Sequence, residues 1–481
     1  MDLNHRGGTG VTAQSASSRV LAIAVILTAV FVTSLDFFVV NVAFPSIAGH
    51  FGGADLGKLS WILNAYAIVY AAFLIPAGKW ADLFGRRRFF LVGLGVFTVA
   101  SLLCAAAPSV WMLVAARVLQ AGGGAMLTPA ATALLIMEFP PARRTAAISL
   151  FSAVGAAAAA LGTPLGGILL QFGWQTIFLI NLPVGVLAFA LGLRTLRESR
   201  TAAAGPMPDV PGSILLALII GDLVLITIKS TEWRLTSETS FLCAIGAAAM
   251  SAWFLARTVS HPSPALNLAL IRHRPFAMAN ATALVFAAGF GGLIFCNAIF
   301  LGEVWHSSGW LLGLELAVGP FTAATFAIPA GRVTSIIGPR IVAIAASLCF
   351  ASGCLWLALH LGDTPRYLTH FLPGFILTGL GVGMSLASVS TAAIAAVSSA
   401  QLSSGAAVLN MSRQMGVALG VAILVATLSA GAQDVHAFRI AYTILAVISA
   451  GSAALALTLS CPGFRASTAI PGERETANLP S

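Results

Sequence analysis

Polar breaks divide the chain into runs of mostly apolar residues. Each is long enough to cross a bilayer as a helix, for which about 20 residues suffice. The runs lie at 20–44, 60–80, 89–107, 110–137, 146–170, 177–197, 211–229, 240–258, 276–301, 309–331, 339–361, 367–396, 403–429 and 437–460. Fourteen such runs, with no long region outside them, predict an all-α polytopic membrane protein. The first run is too long for a signal-peptide core and no cleavage site follows it, so it is expected to remain as a helix.

Composition agrees with the pattern. The 481 residues are 58% hydrophobic and 9% charged, with mean hydropathy +0.94. A soluble domain carries about 25% charged residues, so an integral membrane protein is the expectation. The net charge of +9 does not signal a nucleic-acid partner, because the basic residues are scattered between apolar runs. With the N-terminus inside, nineteen of the 25 Lys and Arg fall in inside segments, Arg413 counted with them; five fall outside and Arg117 lies within a run. That bias places both termini in the cytoplasm. The six cysteines form no C-x-x-C pair or cluster, so neither a disulfide nor a metal site is expected.

The chain echoes itself. "GKWADLFGRRR" from Gly78 and "GRVTSIIGPR" from Gly331 each place a Gly, a second Gly seven positions on, and Arg close behind, after the second helix of a six-helix block. Duplicated halves follow from that. The organisation predicted is a cytoplasmic N-terminus at 1–19, an N-terminal six-helix bundle at 20–198, a linker with two extra helices at 199–269, a C-terminal bundle at 270–460 and a cytoplasmic tail at 461–481. There is no phosphate-binding G-x-x-x-x-G-K-[ST] segment, so ATP-driven transport would need a separate subunit.

A few polar residues interrupt the apolar runs. Asp36 lies within "LDFFVVNVAFP". A carboxylate near a helix centre costs about 2.5–3.5 kcal/mol on insertion scales, which makes it a functional candidate by default. Desolvation favours the neutral acid, so such a group is suited to carrying a proton; a static pair with a cation is the competing reading. Arg117, in "RVLQAGGGA", keeps its charge and needs a carboxylate, a cavity or carbonyls as company. Asp222 and Glu315 are candidates for a substrate or second proton site, with structural roles equally open. Glu303, His306, His360 and His370 read as solvated edge residues. In "GKWADLFGRRR", Gly78 and Gly85 permit a tight turn, and Asp82 can accept hydrogen bonds from Arg86 and Arg87; a positive-inside anchor explains the same arginines. The small residues of "GAAAAALGTPLGG", from Gly155 through Gly162, Pro164, Gly166 and Gly167, allow close helix contact.

Together these segments resemble the major facilitator superfamily, and within it the fourteen-span drug:proton antiporters of the EmrB/QacA type. The likeness rests on Asp36, Asn41 and Pro45; on Gly78, Asp82, Gly85, Arg86 and Arg87; on Arg117 and Gln120, with Ala121 where Gly is usual; on Gly162, Pro164, Gly166 and Gly167; and on "WQTIFLINLPVG", with Gln175 where Arg is common. It implies two six-helix bundles around a central cavity plus two extra helices, and alternating access driven by a proton gradient with no bound cofactor. It further implies that Asp36 is the coupling acid and Arg117 its conformational partner, that Asp82 and its arginines hold one access state, and that the fifth-helix motif favours export. Phe37, Phe38, Trp61, Tyr66 and Gln120 are expected near the cavity. The protein is expected to act as a monomer in the bacterial inner membrane on small amphipathic or cationic molecules. Export of one metabolite or antibiotic on the same fold is the alternative; a receptor or scaffold without flux is an alternative of another class. No metal-ligand cluster and no catalytic Ser-His-Asp grouping is found, so an enzyme is not expected.

Overall fold

The fold is that of a computed structural model, which describes residues 16–52, 55–140, 144–199, 207, 209–229, 238–266, 268–307, 309–397, 402–429 and 434–459. Each predicted run becomes one helix long and apolar enough to span a membrane. In the first block these are α1 (Ala16–His50), α2 (Leu56–Phe84), α3 (Arg86–Ala105), α4 (Val110–Met137), α5 (Arg144–Leu169) and α6 (Thr176–Thr195). The extra pair is α7 (Val210–Lys229) and α8 (Glu238–Ser260). The second block holds α9 (Arg274–Val304), α10 (Gly309–Ile337), α11 (Pro339–His360), α12 (Tyr367–Ala395), α13 (Leu402–Ser429) and α14 (Val435–Ala456). Residues 1–15 of the predicted N-terminal segment, the outer α7–α8 connection and the C-terminal tail lie outside the described residues.

The duplication is visible in the packing. In membrane interiors, contact between helices comes from close van der Waals fit rather than from release of apolar surface, so small residues mark the seams. A Cβ on Gly93 of α3 would meet the carbonyl oxygen of Gly123 in α4 at 2.9 Å. The corresponding helices of the second block repeat the device: a Cβ on Gly353 of α11 would meet the carbonyl oxygen of Gly374 in α12 at 2.5 Å. The connecting glycines repeat too. Gly85 ends α2 with φ 110° and Gly338 ends α10 with φ 94°, a region that side chains disfavour. The match stops at the charges. Ser335, where Asp82 has its counterpart, donates only to the carbonyl of Arg332.

The blocks meet crosswise: the second helix of each packs against the fifth of the other, α2 on α13 and α10 on α5. At one end of the molecule this contact is backbone to backbone. A Cβ on Gly167 would lie 2.8 Å from the Cα of Gly313 and 2.7 Å from the carbonyl oxygen of Gly309. Pro45 of α1 touches Gly302 of α9 at the same end. Eighteen residues along α10 from Gly313, or about five turns on the same face, Gly331 has nothing within 4 Å of a built Cβ. α5 and α10 are therefore closed on each other at this end, while Gly331 faces open space toward the other, where the loops carry Arg86, Arg87, Arg88, Arg332 and Arg340.

The extra pair lies along the α2–α13 side. Leu216, Ile220, Val224 and Ile228 form the buried stripe of α7, while α8 turns Phe241 and Trp253 outward. At the arginine-rich end, Asp209 caps α7 by accepting from Gly212 N at 2.9 Å and from Arg257 Nε of α8 at 2.5 Å. Lys79 of α2 donates to Ser263 Oγ at 2.7 Å, and Asp209 N donates to the carbonyl of Ser263 at 3.1 Å, so the pair is fastened to the first block.

One charge is corrected. Arg413, grouped with the inside loop charges, is the twelfth residue of α13 and lies within the span, about 16 Å along the helix. Its side chain is half-buried, and its guanidinium donates to Ser390 Oγ of α12 at 2.8 Å.

Gly167→Val forces side-chain atoms into the backbone of α10, where no rotamer relieves the clash. The variant is expected to populate this closed arrangement less. Labelling of Leu316→Cys by an impermeant thiol reagent from the closed end should rise several-fold, while Gly155→Val, whose Cβ meets nothing within 4 Å, leaves it unchanged.

Candidate ion-pair site and connecting loop

Five helices of the first block converge on Asp36. Arg117 Nη1 donates to Asp36 Oδ2 at 2.5 Å, with side-chain exposures of 1% and 0%. Gln120 Nε2 and Asn181 Nδ2 donate to Asp36 Oδ1 at 2.9 and 3.1 Å. Both amides also reach Ser101 Oγ of α3, at 2.8 and 3.2 Å. Arg117 places Nε on the carbonyl of Ile62 in α2, shares Nη1 with Gln120 Oε1, and lies 4.1 Å from the Tyr66 ring centroid. The spacing of Arg117 and Gln120 explains their joint role. Residues three apart share a helix face, so α4 delivers a cation and an amide to one carboxylate.

Two charges removed from water in low dielectric cost several kcal/mol each, offset here by a short ion pair and by donors to both carboxylate oxygens. Each hydrogen bond to Asp36 is donated by its partner, so both carboxyl oxygens act as acceptors. In this arrangement the carboxyl has no exposure to solvent. A proton can reach it only after the helices around it shift. Tyr66 and Gln120, expected at the cavity, are instead enclosed with the ion pair, because the buried guanidinium requires both a ring face and an acceptor. Sequence reasoning singled out Asp36 and Arg117 but gave no role to Ser101 or Asn181; the latter lies in the quoted "WQTIFLINLPVG", where an amide amid apolar residues was the available signal.

The loop motif forms a second cluster. Arg86 holds Asp82 Oδ1 through Nε at 2.8 Å and Nη2 at 2.7 Å. Its backbone N–H donates to the carbonyl of Ser199, and Arg87 Nη2 reaches the carbonyl of Leu193 at 2.5 Å. Glu198, unanticipated from the sequence, accepts from the N–H groups of Arg87 and Arg88 at 3.1 and 3.3 Å. It thereby supplies the capping carboxylate that α3 needs where Gly85 offers no side chain. These partners all belong to the first block, so the loop ties α2, α3 and the end of α6 into one body. Nearby, Glu138 at the end of α4 pairs with Arg19; burial raises its pKa although Arg19 and Arg197 oppose the shift.

The fifth-helix motif divides its faces. Gly162 and Gly166 press on Phe38 and Val39 of α1, while Gly167 meets α10. Pro164 is accommodated within an unbroken α5, and Gly155 lies in open space. Gly78 packs on Pro129 of α4. Phe37 and Phe38 are half-buried and make an edge-to-face pair at 5.2 Å; Trp61 is half-buried beside the core. The remaining candidate acids do not join Asp36. Glu315 lies two residues from Gly313 at the closed end, its Oε2 buried without a hydrogen-bond partner. Asp222 sits off the buried stripe of α7, its Oδ2 likewise unpartnered. Among the described residues no group of His, Cys, Asp and Glu could hold a metal ion.

Asp36→Asn turns an amide or a weaker acceptor toward Arg117 and leaves the buried cation without its counter-charge. A loss of about 3–5 kcal/mol is expected, read as a fall in apparent melting temperature in detergent. Glu198→Gln weakens the α3 cap, with a smaller loss of about 1 kcal/mol in the same measurement.

The relatives of the chain agree with this architecture. The family profile described as Major Facilitator Superfamily matches residues 26–305. "Multidrug resistance protein Stp" of Mycobacterium tuberculosis (strain CDC 1551 / Oshkosh) is 32% identical over 404 residues, covering 83% of this chain and 74% of that protein. "Puromycin resistance protein pur8" of Streptomyces alboniger is 35% identical over 426 residues, covering 85% and 81%. Among solved structures, a bacterial homologue of the human lysosomal transporter Spinster, in an inward-facing and unoccupied conformation, superposes with a TM-score of 0.68 at 18% identity, covering 95% of this chain and all of that one. That likeness shows the fold, and profile and relatives together show the family: the chain belongs to the Major Facilitator Superfamily.

Proposed function

We propose that this protein is a proton-coupled exporter of small amphipathic molecules, of the fourteen-span drug:proton antiporter type. It is an integral membrane transporter of the Major Facilitator Superfamily, and relatives named for multidrug resistance, puromycin resistance and tetracenomycin C resistance and export support efflux as its direction. In this reading the arginine-rich loops face the cytoplasm of a bacterial cell, as the positive-inside rule requires, and both termini lie there. In this reading the closed Gly167–Gly313 end faces outward and the open flank at Gly331 faces the cytoplasm.

The observation that carries proton coupling is the isolation of Asp36 with Arg117 among five helices. An acid held charged in one arrangement, and accessible to protons only in another, links its occupancy to the rocking of the halves. Proton binding removes the charge that holds Arg117, so the amides and Tyr66 must find new partners and the first block repacks. The loop cluster of Asp82, Arg86, Arg87 and Glu198 keeps α2, α3 and α6 moving together. Relatives named for a single compound, including a probable actinorhodin transporter of Streptomyces coelicolor, favour a second reading in which one natural product is the main cargo.

Purified protein in liposomes should move ethidium in response to an imposed pH gradient and stop when a protonophore collapses it. Asp36→Asn is expected to fall below about a tenth of the wild-type rate, the loss typical of a missing proton-transfer group. Gradient-independent movement, or an unimpaired Asp36→Asn, would remove proton coupling from the account.

A further inference from the structure

Arg413, like Arg117, lies well inside a span, and it differs from Arg117 in its company. Among the described residues, no carboxylate lies within 4.0 Å of its guanidinium, whose hydrogen bond goes to Ser390 Oγ on α12. The acids at the arginine-rich end have cations already: Asp82 has Arg86, Glu138 has Arg19, Glu198 has Arg88 and Asp209 has Arg257. Asn410 and Gln414 stand on the same flank of α13, three residues before and one after Arg413; Asn410 is exposed and Gln414 half-buried. The neighbouring face of α13 is used up against α9, where Ser412 meets Asn280 and a Cβ on Gly416 would meet the carbonyl of Leu284. A flank bearing an amide and a guanidinium is costly against lipid. α13 also packs on α2 across the junction of the halves.

We propose that Arg413, with Asn410, Gln414 and Ser390, forms a binding site in the second half for an anionic substituent, a carboxylate or phenolate, on an amphipathic substrate. This rests on the reading of the chain as an exporter. The guanidinium offers a planar fork suited to a carboxylate, the amides add donors, and the apolar body of the ligand lies along the half-buried and exposed apolar residues of α12. The site and the Asp36 pair then sit in opposite halves, one taking substrate and one carrying the proton.

Binding of pyrenebutyrate and of its methyl ester to the purified protein in neutral detergent tests this without requiring flux. Wild type is expected to bind the carboxylate at least tenfold more tightly than the ester, and Arg413→Gln to bring the two within about twofold while leaving the ester unchanged. Arg413→Lys, which keeps the charge, should retain a preference and serves where Arg413→Gln does not fold. Equal binding of acid and ester by wild type, a preference that survives Arg413→Gln, or one lost in Arg413→Lys overturns the proposal. Ethidium transport in liposomes is the separate arm: if it stands while the acid preference fails, only this site falls; if the preference holds without any transport, the exporter reading falls instead.

Discussion

The Asp36–Arg117 pair constrains the first half more than any other contact. Two full charges lie where water does not reach, and each added partner exists to make that tolerable. Gln120 and Asn181 cover one carboxylate oxygen, Tyr66 offers a ring face to the cation, and Ser101 holds both amides. Five helices are thereby fixed relative to one another by polar geometry in a region where apolar side chains alone would give little orientation. The same cost makes the pair sensitive: neutralising one member changes what all the others must do.

Around that fixed point the molecule divides into bodies with different kinds of seam. Within each half, glycines bring α3 to α4 and α11 to α12 at backbone distance, and the connecting loop adds charged hydrogen bonds. Between the halves, α5 meets α10 glycine on glycine at one end, and Phe44 of α1 packs edge-to-face on Phe295 of α9 at 4.9 Å. Polar ties inside a half and apolar or glycine contact between halves suit relative movement of the two, since such faces can part without leaving a buried charge unpaired.

Much of this was legible in the residues. Apolar run length located the helices to within a few positions, because lipid leaves no alternative for the backbone. The Gly–Gly–Arg echo pointed to the repeat, and both glycines adopt the positive φ that the turn demands. Asp36 and Arg117 stood out because charge in an apolar run needs a reason. Their partners were harder to read, since Ser101 and Asn181 are ordinary residues until the third dimension brings them together. Glu198 lies 112 positions beyond Arg86 in the chain yet caps the same helix. Arg413 was misplaced because an arginine in the first half of a span reads as the preceding loop's charge; its partner is a serine of another helix, which no local pattern announces.

The fastening of the extra pair has a mechanical meaning. Lys79, Ser263, Asp209 and Arg257 moor α7 and α8 to α2 at one end, and at the other Lys229 pairs with Asp55 beside α2 at 3.8 Å. When the halves pivot, the added hairpin travels as cargo of the first and slides over the second, a greased bearing beside the hinge rather than a third gear in it.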